Sequence, residues 1–216
     1  MKILLMCKGP GAKLLNQEEF LNSDIIAWAN IPVFENNALE IPKKVDILYI
    51  RDKSFYDELP KEKKNEIDNI TIKEIISINS RFKKMGNKNI SKTIRSNSVG
   101  KFNGSTGLNA FVDLVSRKPK ELTVAGLDLF QEGLPLYFFD FKYNLTGKKT
   151  KNNLENEFLN DNNKVLEKTM HEPEKSLNVI YDKVYLSSDI FFTFYTTNKN
   201  VENKLKNLPN VKIITS

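Results

Sequence analysis

One cysteine and one histidine in 216 residues exclude a good deal at once. With Cys7 alone, no disulfide can form within the chain, which fits a reducing compartment, and a lone thiol at the end of a strand reads as a small buried hydrophobe. A single cysteine beside a single histidine also leaves a zinc site without its usual ligand set. Glycine (9) and proline (8) are few, so the chain is neither low-complexity nor collagen-like. No apolar run approaches the length of a membrane span. The opening residues Met1 to Cys7 lack the long apolar core and small-residue cleavage site of a signal peptide. A nucleophile elbow for a Ser-His-Asp hydrolase is missing, and so are aromatic and arginine motifs for stacking bases.

What is present is an ordinary globular composition, 40% hydrophobic and 28% charged, with a formal charge of +6. That charge suits an anionic ligand, an acidic membrane surface or nucleic acid, and does not choose among them. Many of the lysines fall in stretches such as "PKEKKNEIDN" and "TGKKTKNN", which read as solvated loops and helix faces.

Apolar, β-rich runs alternate with helical patterns. "KILLMC", "DIIAWAN", "VDILYIR", "IKEIISI", "LTVAGLDLF", "IFFTFYT" and "VKIITS" read as strands, several of them almost continuously apolar, as strands covered on both faces are. Helices are expected over Ala12 to Leu21, Ser54 to Ile67, the "STGLNAFVDLVSRK" segment, "HEPEKSLNVIYDKVYL" and Val201 to Leu205. Asn79 to Asn103 is basic, lightly apolar and expected to wrap the surface. Neither a repeat nor a domain linker is visible. The expectation is one α/β domain over residues 1–216: a Rossmann-like, mostly parallel sheet flanked by helices. The segment from about 134 to 165, aromatic first and polar later, reads as a flexible lid.

In such sheets ligands sit beyond the carboxyl ends of the strands. Three turns there stand out. Lys8-Gly9-Pro10-Gly11 follows the first strand; its spacing matches neither the dinucleotide fingerprint nor a Walker loop, so a tight turn and a phosphate contact both remain open. Gly104-Ser105-Thr106-Gly107 opens a helix, with Ser105 a natural N-cap or part of an anion cradle. Gly126-Leu127-Asp128 ends the strongest strand, where a carboxylate forms a turn or fixes a ribose. His171, beside Glu172 and Glu174, is the one side chain that titrates near neutrality without perturbation, and so the obvious general base.

In this order, the "GPG" turn, Asn30 after the second strand, "STG" opening a helix, "AGLDLF…YFFD" after the next strand and "HEPEKSL" opening a late helix resemble the bacterial sialyltransferases of glycosyltransferase family forty-two. The resemblance runs from about Lys2 to Tyr195. It implies a variant GT-A fold, a CMP-activated sugar as donor and a glycan as acceptor. Transfer would be inverting, with no metal or other cofactor and no nucleic-acid partner. Lys8, Gly9, Pro10 and Gly11 would line the phosphate and ribose, and Asn30 the nucleotide. Ser105, Thr106 and Gly107 would hold carboxylate and phosphate, and Gly126, Leu127, Asp128, Leu129 and Phe130 the cytidine and ribose. His171 would take the acceptor proton, with Tyr137 and Tyr143 donating to the leaving phosphate. Lys8, Gly11, Arg51 and Phe130 depart from the family pattern, which leaves the sugar as sialic acid or a related ulosonic acid. The resemblance implies a cytoplasmic site or the inner face of a membrane, and leaves oligomeric state open. Two further readings stay open: a nucleotide-binding module without catalysis, and a pterin diphosphokinase-like enzyme.

Overall fold

The computed structural model describes residues 1–32, 43–51, 54–57, 59–78, 83–96, 98–99, 102–129 and 172–215. Eight strands form one sheet in the order β12-β11-β10-β1-β2-β3-β4-β7. They are β1 (Lys2–Met6), β2 (Ile25–Ala29), β3 (Ile47–Ile50), β4 (Glu74–Ile78), β7 (Lys92–Ile94), β10 (Glu121–Ala125), β11 (Phe191–Tyr195) and β12 (Val211–Ile214). Every pairing in it is parallel. Two short antiparallel pairs lie outside it, β5 (Lys84–Met85) with β6 (Lys88–Asn89) and β8 (Ser98–Val99) with β9 (Phe102–Asn103).

The all-parallel arrangement follows from the apolar runs. Alternate side chains of β1 enter opposite cores, Ile3 and Leu5 on one face, Leu4 and Met6 on the other, so neither face of the strand tolerates water. The first face is covered by α4 (Thr106–Ser116), α5 (Pro173–Tyr185) and α6 (Lys199–Leu205). Leu108, Phe111, Leu114 and Val115 of α4 are buried at helical spacing, and Phe111 meets Phe192 and Phe194 of β11 with ring centroids 6.1 and 6.0 Å apart. The second face is covered by a 3-10 turn (Pro10–Leu14), α1 (Gln17–Leu21) and α3 (Lys61–Asn69), with Leu15, Phe20, Ile67 and Trp28 buried in one cluster. A four-residue helix, α2 (Ser54–Asp57), precedes α3.

From β1 the chain winds outward through β2, β3 and β4 in one direction, then returns along the first face in α4 and winds outward through β10, β11 and β12 in the other. The reversal puts the topological switch point between β1 and β10, where the loops leaving the two strands diverge to opposite faces.

Three expectations change. The helix expected over Ala12 to Leu21 is two pieces, because Asn16 caps a new start by accepting from the Glu19 N–H at 3.0 Å. The helix expected over Ser54 to Ile67 divides at Pro60, which occupies the N-cap of α3. Within the segment expected to wrap the surface, β7 extends the sheet: Ile76, Ser77 and Ile78 pair with Lys92, Thr93 and Ile94, and the Ser77 and Thr93 hydroxyls lie 2.7 Å apart.

Candidate functional site

Three of the turns singled out in the sequence meet at the switch point. The Gly9 N–H donates to the Gly126 carbonyl at 2.8 Å, and the Gly11 N–H to Asp128 Oδ2 at 2.7 Å. Gly107, in the first turn of α4, packs so closely over the ends of β1 and β10 that a Cβ there would lie 2.9 Å from both Cys7 Sγ and Leu127 Cδ1. The "GPG", "STG" and "GLD" motifs are therefore one structural unit at the carboxyl rim.

That contact explains the glycines. A Cβ on Gly9 would fall 2.5 Å from Asp128 Oδ2 and 2.6 Å from the Gly126 carbonyl; one on Gly11, 2.5 Å from the Tyr195 carbonyl. Gly126 has φ of 72° and faces the Gly9 carbonyl. The close approach that demands glycine is thus between loops of the protein itself. The same bonds spend the Gly9 and Gly11 N–H groups, while Pro10 has none and the Ala12 N–H returns to the Gly9 carbonyl. An anion at this rim gets no donors from those four residues.

Asp128 is the hub. Its Oδ1 accepts from Thr196 Oγ1 at 2.6 Å and the Thr197 N–H at 2.8 Å, while its carbonyl accepts from Asn198 Nδ2 at 2.6 Å. Burial pushes the carboxyl above its usual range, against these hydrogen bonds, which pull it down. Thr196, Thr197 and Asn198 went unnoticed in the sequence; the polar triplet directly after an apolar strand, with Asn198 capping α6, was the available signal. Burial, with the Asp128 charge second, likewise pushes the Cys7 thiol up, and Cys7 is a buried residue of the core.

Other polar groups stand along the same carboxyl rim. At the tip of β1, partial burial lowers the Lys8 ammonium to about 7. Past the end of β2, Asn30 sits at φ of 67°, a region asparagine tolerates, held by its N–H on the Tyr49 carbonyl at 2.7 Å. Its Oδ1 is buried and has no hydrogen-bond partner among the described residues. Ser105 caps α4 by accepting from the Leu108 N–H at 3.1 Å. The N–H groups of Thr106 and Gly107 are left without a partner among the described residues, as helix starts are. Arg51, past the end of β3, donates through Nη2 to the Gly104 carbonyl and to Ser96 Oγ. Leu127 and Leu129 are buried beneath the rim, Leu129 at φ of 54°. Phe130, Tyr137, Tyr143, His171 and the segment expected as a lid lie outside the described residues.

No protein-family model matches the chain, and no curated protein matches it. Solved structures do. A point variant of the sialyltransferase Cst-II in complex with CMP is 15% identical, matches over 97% of this chain and 87% of its own, and superposes with a TM-score of 0.60. CstII from Campylobacter jejuni, in complex with the substrate analogue CMP-3FNeuAc, is 15% identical over 97% of this chain and 86% of its own, with a TM-score of 0.59. Cst-II in complex with a trisaccharide acceptor and CMP is 15% identical, over 97% and 87%, with a TM-score of 0.55. The chain has the α/β fold of these sialyltransferases. Among the described residues, no helix is long and apolar enough to cross a membrane.

Proposed function

We propose that this chain is a sialyltransferase-like glycosyltransferase, which takes a CMP-activated sialic or related ulosonic acid as donor and a sugar hydroxyl as acceptor. The observation that carries the reading is the meeting at the switch point of three motifs whose succession resembles the family, Gly9–Gly11, Ser105–Gly107 and Gly126–Asp128, with Asn30 on the same rim past the end of β2. The fold shared with the CMP-bound sialyltransferases supports it.

In this reading the residues divide the work. Gly9, Pro10, Gly11 and the Asp128 hub form a rigid floor rather than a set of donors. The unspent first-turn N–H groups of Thr106 and Gly107 meet an oxyanion of the donor, and Lys8 supplies charge beside it. The Asn30 carboxamide oxygen accepts from the nucleotide. His171 precedes Glu172, the N-cap of α5. Helix α5 descends toward the amino end of β11, so its first turn belongs to the carboxyl rim.

The proposed step is one displacement. His171 accepts the proton of the acceptor hydroxyl as that oxygen bonds to the anomeric carbon. The bond from that carbon to the CMP oxygen breaks, and its electron pair leaves on the phosphate. A tertiary anomeric carbon reaches an oxocarbenium-like transition state readily, so placement and stabilisation of the departing phosphate carry most of the catalysis. Tyr137 and Tyr143 are the proposed hydroxyl donors to that phosphate. The step uses no metal ion, so EDTA is expected to leave the rate unchanged.

A thermal-shift series with CMP, CDP, UDP, GDP and ATP tests the nucleotide. Stabilisation by CMP above the others is expected, followed by transfer or donor hydrolysis with CMP-sialic acid. Stabilisation by ATP with Mg²⁺ in place of CMP overturns the reading. CMP binding without transfer or hydrolysis across an acceptor panel makes the chain a nucleotide-binding module.

A further inference from the structure

Two half-buried arginines on this domain are treated differently by their surroundings. Arg117, near the end of α4, is forked onto Glu74 at 2.8 and 3.2 Å and bonds Asp113 at 3.0 Å. Arg51 meets no carboxylate among the described residues. Its partners there are neutral, the Gly104 carbonyl and the Ser96 hydroxyl, and its Nε is buried without a partner. Burial with no carboxylate beside it among the described residues is an unfavourable setting for a guanidinium, and burial lowers the hold of Arg51 on its proton.

Among the described residues, nothing requires that charge. The Gly104 carbonyl already accepts from Asn109 Nδ2 at 2.8 Å, and the same amide donates to the Ser105 carbonyl at 2.8 Å and to Ser96 Oγ at 3.4 Å. A neutral donor at position 51 would complete the network equally well. The cation also stands against the start of α4, since Gly104 directly precedes the Ser105 N-cap. A helix start carries partial positive charge, so a second positive charge there is repelled until an anion sits between them.

The geometry points to Arg51 as a positioning and charge-supplying residue for the oxyanion of the ligand. It holds the turn that aims the Thr106 and Gly107 N–H groups, and it sets the site's preference for an anionic over a neutral nucleoside. This rests on the nucleotide reading above and adds to it the residue that selects for charge. Phosphate and carboxylate share the required chemistry.

The test is calorimetry of the full chain and its Arg51→Gln and Arg51→Lys variants with cytidine, CMP and CMP-sialic acid, together with the melting temperature of each unliganded protein. Arg51→Gln is expected to weaken CMP by about tenfold or more, with cytidine nearly unchanged, and Arg51→Lys to recover much of the loss. An equal loss for CMP and CMP-sialic acid assigns Arg51 to the phosphate, and a larger loss for CMP-sialic acid assigns it to the carboxylate. Loss of cytidine and CMP by the same factor, or no loss of either, overturns the inference. If the unaltered protein binds no nucleoside or nucleotide, the nucleotide reading fails, and inorganic phosphate becomes the probe. Stabilisation by phosphate that vanishes in Arg51→Gln then retains the oxyanion role, and its absence ends it.

Discussion

Gly11 and Asp128, separated by 117 residues in the chain, are joined by a 2.7 Å hydrogen bond from the Gly11 N–H to Asp128 Oδ2. The bond fixes the loop after β1 to the loop after β10, and through Thr196 and Thr197 to the loop after β11. Gly11→Ala forces a Cβ onto the Tyr195 carbonyl and is expected to cost about 1–3 kcal/mol. Asp128→Ala strands buried donors and is expected to cost about 3 kcal/mol or more. Urea denaturation of both variants measures this. A stability for either within error of the unaltered chain would show that the loops are not bound to one another as described.

Asn30 separates a structural role from a binding one. Its positive φ favours glycine as much as asparagine, so Asn30→Gly is expected to melt within a few degrees of the unaltered protein. Its Oδ1, without a hydrogen-bond partner among the described residues, is the atom proposed to meet the ligand, and the same variant is expected to bind CMP about tenfold more weakly. Equal CMP affinity in a folded Asn30→Gly protein removes Asn30 from the binding site.

Lys8 is expected to tie stability, and binding of an anionic ligand, to pH. Burial lowers its ammonium to about 7, so between pH 7 and the ordinary lysine range near 10.5 the unfolded chain holds a proton that the folded one has released. Stability attributable to Lys8 therefore rises with pH across that window. Below it both states are protonated, and the full cost of burying the charge remains. Lys8→Met is expected to stabilise the fold most at pH 6, with the gain shrinking as pH rises above 7. A bound anion reverses the preference by drawing the proton back. CMP binding at pH 8 should take up protons, visible in calorimetry across buffers of different ionisation enthalpy, and Lys8→Met should abolish the uptake.

His171→Gln is expected to reduce kcat for sugar transfer by about 10²- to 10⁴-fold while leaving CMP affinity unchanged. Unaltered transfer by this variant would assign the base elsewhere.

The long apolar runs made the sheet legible, because a strand covered on both faces leaves no room for polar alternation. The position of α4 was legible from Leu108, Phe111 and Val115, and its start from Ser105, since capping and amphipathicity are local properties. Local signals also marked the interruptions at Asn16 and Pro60, although the helical pattern across them favoured continuous helices. What could not be read locally was the purpose of the glycines. Gly9, Gly11 and Gly126 are small because of one another and of Asp128, and contacts across 117 residues leave no periodicity. For the same reason Asp128 read as a turn former or a ribose contact, not as the fastener of three loops. The strand Lys92–Ile94 was hidden by its shortness and its exposed lysine, and it joins the sheet through the partner that β4 offers.

The fastening of three loops through Asp128 has a consequence for redesign. Replacing any one of these loops alone would bring a side chain or an orphaned amide into the other two, so the three are exchangeable only together. Changes at Lys8, Asn30 or Arg51, which border the fastened core without belonging to it, can instead be made singly.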